Sequence, residues 1–111
     1  MDARVERLNE LHAEMCKVFT SPVRIQILDL LRDGEHTVSG LAASLDIPQP
    51  NVSQHLGIMR AKGILLARKE GVSVHYRLAN PKIIKAFDIM REMLIDMLRQ
   101  GADVAQGGRS R

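Results

Sequence analysis

Between Leu41 and Gly63, two short apolar-periodic runs meet across a tight connection, Asp46-Ile47-Pro48. In the second run Val52, Leu56 and Met59 recur at helical spacing, so one stripe of that segment faces a core. Pro50 suits the first turn of a helix, where a missing N–H costs nothing. Gly63 suits the position just past its end. The N-terminal turn carries Gln49, Asn51, Ser53 and Gln54, short hydrogen-bonding side chains rather than the usual Glu/Lys pairs. A small helix, a tight turn and a second helix with a polar N-terminal face predict a helix-turn-helix. The second helix then has the shape and chemistry to enter the major groove of DNA.

The flanking segments build a domain around this unit. Val5, Leu8, Leu11, Met15 and Val18 form a helical stripe over residues 3–18. Thr20 or Ser21 caps the next helix and Pro22 opens it. Val23, Ile25, Ile27, Leu28, Leu30 and Leu31 are apolar around much of that helix, which predicts a central, buried element ended by Gly34. Residues 35–38 read as a connector, and Ser39 as the cap of a helix over about 40–45. The period then changes. Residues 64–69 form a short apolar strand that turns polar, and Glu70-Gly71 is a turn signal. Val72, Val74, Tyr76 and Leu78 alternate with Ser73, His75 and Arg77, a strand with one wet face. The hairpin directly after the groove-facing helix is a wing. Asn80-Pro81 opens a last helix to about Leu98, lined by Ile83, Ile84, Phe87, Met90, Leu94, Met97 and Leu98. The expectation is a mainly α fold with a small β-hairpin: one domain over residues 1–100, then a disordered tail over 101–111.

Composition narrows the function. The 111 residues suffice for one core. Aromatics make up only 3%, so the core is built from Leu, Ile, Val, Met and Ala. No run is long and apolar enough to span a membrane, and the charged N-terminus lacks the apolar stretch of a signal peptide. A cytoplasmic protein without a membrane partner is expected. Cys16 stands alone, so no internal disulfide forms. Net charge is +3, unevenly placed. Residues 48–78 hold Arg60, Lys62, Arg68, Lys69 and Arg77 against Glu70 alone, while residues 2–47 are net acidic. Positive charge therefore accompanies the groove-facing helix and the wing, where phosphates need it. No Gly-rich phosphate loop, acid/base pair or partnered nucleophile is present, which argues against an enzyme.

Three motifs carry a resemblance. Phe19-Thr20-Ser21-Pro22-Val23-Arg24, continuing to Leu31, resembles the "ALSDPTRLRILRLL" signature of ArsR/SmtB-type repressors. Pro48 to Leu56 is similar to that family's "SQPTVSQHL" recognition helix, and Gly71 to Leu78 to its "GRWVYYRL" wing. The match runs collinearly over about residues 5–98. It implies a dimeric winged helix that represses by binding operator DNA and is released by a metal or another inducer. The residues agree on the dimer, because one small core cannot bury the stripes of both terminal helices. Pairing these helices about a two-fold axis, through Leu8, Leu11, Met15, Phe87, Met90, Leu94 and Met97, gives a C2 homodimer.

The chain departs from the family at both common metal sites. Thr37-Val38-Ser39 stands where many members carry Cys-x-Cys. Asn80-Pro81-Lys82 and Met93-Leu94-Ile95-Asp96 stand where others carry Asp-x-His and His-x-x-Glu/His. Hydroxyls are poor soft-metal ligands, and Lys82 places an ammonium at a ligand position. No metal site is assigned with confidence and no cofactor is evident. His12 and Cys16, four apart on one helix face, are the remaining candidates for a metal or thiol-reactive inducer. The competing reading is a cysteine that packs as a small hydrophobe.

The resulting expectation is sequence-specific binding of double-stranded operator DNA by a homodimer. Gln49, Pro50, Asn51, Ser53, Gln54 and His55 form the groove face. Arg60, Arg68, Lys69, Gly71 and His75 approach the backbone, as do Thr37 and Ser39 at a helix start. His36 is expected to be solvated. Two alternatives remain: a thiol-, redox- or metal-responsive sensor acting through Cys16, and a winged-helix interaction module that no longer reads DNA.

Overall fold

A computed structural model describes residues 2–106. The chain falls into two compact units, Met1–Asn80 and Pro81–Arg111. The first unit begins with helix α1 (Ala3–Val18), capped by Asp2, whose carboxylate accepts from the backbone N–H of Arg4 and Val5 at 2.7 and 3.1 Å. Ser21 caps α2 (Pro22–Leu30), which tightens into a 3₁₀ turn over Leu31–Asp33 and stops at Gly34. There φ is 137°, a conformation open to glycine.

A two-residue strand, β1 (His36–Thr37), follows where a plain connector was expected. It runs directly into α3 (Val38–Leu45). Thr37, not Ser39, is the cap: its Oγ1 accepts from Gly40 N–H at 3.0 Å. Thr37 is extended (φ −82°, ψ 161°), as a strand residue and a helix cap both require. Asp46 then turns the chain in the left-handed region (φ 55°, ψ 48°). The groove-facing helix α4 spans Gln49–Ala61. It closes through two bonds, Gly63 N–H to Arg60 C=O at 3.0 Å and Ile64 N–H to Met59 C=O at 3.0 Å. This is a Schellman motif, with Gly63 at φ 78° as its left-handed residue and Met59 and Ile64 both buried beside it.

Strands β2 (Leu65–Glu70) and β3 (Ser73–Leu78) form the wing. With β1 they make an antiparallel sheet in the order β1-β3-β2. The pairing sets Leu65 opposite Leu78, Arg68 opposite His75 and Thr37 opposite His75 from the other edge. Val72 departs from the expected alternation: it lies in the turn with Gly71 and is fully exposed. His36, expected in solvent, is half-buried because it pairs with Tyr76 in the sheet.

The core of this unit joins one stripe from each helix. Ile27, Leu28 and Leu31 meet Leu41 and Ala42, then Val52, Leu56 and Met59, with Ile64 and Leu65 closing the base of the wing and Val18 contributed by α1. Each such aliphatic side chain contributes about 1.5–3 kcal/mol by leaving water. This packing fixes the rotation of α4, leaving its opposite side exposed.

The second unit is helix α5 (Lys82–Gln106). It passes the expected end near Leu98 and the expected tail boundary at 101. No proline interrupts residues 99–106, and the single Gly101 costs only about 1 kcal/mol in a helix. Residues 107–111 of the expected tail lie outside the described residues. Met90, Leu94 and Met97 are exposed on α5, as are Leu8 and Leu11 on α1, whereas Met15 is half-buried. Phe87 differs from its neighbours in the row: it is already buried within the single chain, at 7% exposure, and Arg91 lies 4.6 Å over its ring.

Candidate nucleic-acid interface

Because Val52, Leu56 and Met59 point into the core, the opposite side of α4 belongs to Pro50, Gln54 and Gly57, with Asn51 and Ser53 flanking it. All five are exposed. Gly57 shares this exposed side and was not among the residues the sequence reading singled out. A Cβ placed there would meet nothing within 4 Å, so the helix is bare one turn beyond Ser53 and Gln54. An apolar-stripe count finds core positions and passes over a glycine on the other face.

Gln49 and Ser53, one turn apart, line a cleft of about 270 Å³ with the cap Thr37, Val38 and Ser39 of α3, and Val72, Ser73 and Val74 of the wing. Four residues expected at the backbone or groove thus share one concavity. The Thr37 and Ser39 hydroxyls lie 3.2 Å apart at its α3 wall. Thr37 Oγ1 is occupied in capping, which leaves Ser39 as the more available hydroxyl.

His55 is placed differently. It is half-buried, and its Nδ1 accepts from Arg24 Nε of α2 at 3.1 Å. Burial, and secondarily the Arg24 charge, push its pKa below the ordinary 6.5. The ring is neutral, with its proton on Nε2. His55 therefore ties the groove-facing helix to α2. The sequence held no short-range sign of this pairing across 31 positions.

The basic residues of the wing divide in two. Arg68 donates to both oxygens of Glu35, at 2.8 and 3.2 Å, and to Glu70 at 2.5 Å. These bonds hold both carboxyls below their usual range and raise the guanidinium further. His75 Nδ1 lies 4.0 Å from Glu35 in the same cluster. Lys69 projects from the opposite face of the hairpin, and among the described residues it forms no ion pair. Arg60 is exposed on α4, and Gly71 makes the turn at φ 61°. His12 and Cys16 are both exposed on α1. Among the described residues, no three His, Cys, Asp or Glu side chains come together as a metal-binding group.

Comparison with known proteins places this geometry. A model of the arsR family of bacterial regulatory proteins matches residues 21–65, from the cap of α2 to the first residue of β2. An HTH-type transcriptional regulator of Mycobacterium tuberculosis is 35% identical over 94 residues, covering 84% of this chain and 82% of its own length. The biofilm growth-associated repressor of Agrobacterium fabrum is 36% identical over 90 residues, 81% of this chain and 76% of its own. Among solved structures, the homodimeric winged helix-turn-helix DNA-binding domain from Mycobacterium bovis superposes with a TM-score of 0.81 at 27% identity, covering 90% of this chain and 93% of that one. Among the described residues no helix is long and apolar enough to cross a membrane. The chain belongs to the ArsR family of winged helix-turn-helix, DNA-binding transcriptional regulators, and is not an enzyme.

Proposed function

We propose that this chain is a repressor that acts in the cytoplasm as a homodimer, reading operator DNA with the exposed side of α4. The observation that carries this reading is the cleft shared by α3, α4 and the wing, beside the uncharged row Pro50, Gln54 and Gly57. Gln54 and Asn51 read base edges, since amide side chains pair bidentately with adenine, and Ser53 serves donors or acceptors. Ser39 and Gln49 hold a phosphate at the cleft, with Lys69 and Arg60 on the flanking backbone. Exposed apolar rows on α1 and α5 supply the two-fold contact, and the relative from Mycobacterium bovis is itself homodimeric. Two copies then meet half-sites about one turn of DNA apart.

The test is selection of bound sequences from a random duplex pool, followed by variants. Gln54→Ala relaxes preference at particular positions, at a cost of about 1–3 kcal/mol for a bidentate contact. Lys69→Ala weakens all sequences alike and flattens the salt slope by about one unit. An unchanged preference in Gln54→Ala overturns this placement of the groove face.

A further inference from the structure

Arg68 occupies the wing position where a phosphate clamp is expected, yet each of its three guanidinium nitrogens already donates to a carboxylate. Glu35 reaches it from the connector before β1, crossing the middle strand β3, and grips it with both carboxylate oxygens. Glu70 takes the remaining fork from its own strand. Glu70, Arg68, Ser73 and His75 share one face of the hairpin by register, with Arg77 at its base. Glu35 and Glu70 offset Arg68 and Arg77, so this face presents no net positive charge to a phosphate.

We propose that Glu35 and Glu70 mask Arg68 and thereby hold down the sequence-independent part of DNA binding, while α4 still reads bases. The inference rests on the DNA-binding reading of the wing. Sequence-independent affinity scales with the number of phosphates a protein neutralises. A phosphate nearing Arg68 competes with a carboxylate that already holds the bidentate edge, the same geometry it would itself adopt. It must also approach a second carboxylate within a Debye length of about 8 Å. Removing one cation from the backbone count lowers affinity for every sequence equally. Base contacts at Gln54 are untouched, so the preference among sequences is kept while the hold on random DNA weakens. Lys69, on the other face, keeps the clamp. Glu35 and Glu70 are positioning residues that act through Arg68.

The experiment measures affinity for a mixed-sequence duplex against salt. It compares wild type, Glu35→Gln/Glu70→Gln, Arg68→Gln, and the triple variant. The double variant steepens the slope by about one unit per engaged wing. The triple variant returns to the wild-type slope, which separates an unmasked Arg68 from a general loss of negative charge. Arg68→Gln alone leaves the slope nearly unchanged. An unchanged slope in the double variant, or a full unit lost in Arg68→Gln, overturns the mask alone. If the double variant fails to fold, Glu70→Gln gives a smaller steepening, and no change there also overturns it. A wild type that binds no duplex at any salt overturns the DNA reading together with the mask.

Discussion

Arg24 Nε and His55 Nδ1 lie 3.1 Å apart and join α2 to the groove-facing helix α4. The bond needs a neutral imidazole, so it makes the rotation of α4 sensitive to pH. His55 takes its proton at lower pH in the fold than in the unfolded chain, where the value is near 6.5. Between those two values the unfolded chain binds more protons, so stability falls as pH falls. His55→Gln removes this term. Thermal unfolding of wild type against His55→Gln at pH 7.5 and 5 shows a smaller acid loss in the variant. An equal loss in both would assign the dependence to other histidines.

Gly57 and Gly63, six residues apart, respond to alanine with opposite signs. Gly57 is helical and unobstructed, so Gly57→Ala stabilises the protein by about 0.8–1 kcal/mol through helix propensity. It also places a methyl group on the groove face, and DNA affinity drops. Gly63 is at φ 78°, where Ala is strained by about 1–2 kcal/mol even though the space is open. Denaturant titration of the two variants checks the pair.

Leu94 is 47% exposed in one chain, in an α5 row with Met90 and Met97. Leu94→Asp places a charge in the proposed two-fold contact, where no partner compensates its desolvation. Sedimentation at micromolar concentration shows a dimer for wild type and a monomer for the variant. A monomeric wild type refutes the paired half-sites as well.

Cys16 is exposed and is the chain's single thiol. Native alkylation therefore labels wild type once and Cys16→Ser not at all. Zinc leaves DNA affinity unchanged in both proteins, because Thr37, Ser39 and Lys82 stand at the family's ligand positions. A zinc response that survives Cys16→Ser would reveal a site of histidines and carboxylates.

The helices were legible because their signals are local and repeated. Val5 to Val18 marks α1 over its full length, and Pro22 and Gly63 stand at helix ends where their backbone preferences place them. What escaped was short or distant. A two-residue strand such as β1 has no period to detect, so the sheet was read as a hairpin and Ser39 as the cap instead of Thr37. The Arg24–His55 and Glu35–Arg68 pairs span 31 and 33 positions and leave no trace in spacing. Phe87 fits the α5 stripe, but a stripe does not tell a residue buried in one chain from one awaiting a second.

Thr37 ends β1 opposite His75 of the wing, and the same residue caps α3. It works as a shared pivot between two levers. A slip of the wing by one register position would carry the pivot with it and uncap α3, so the hairpin and the helix-turn-helix are geared to each other. The arm proposed to grip the backbone and the helix-turn-helix proposed to read the bases therefore hinge on a single threonine.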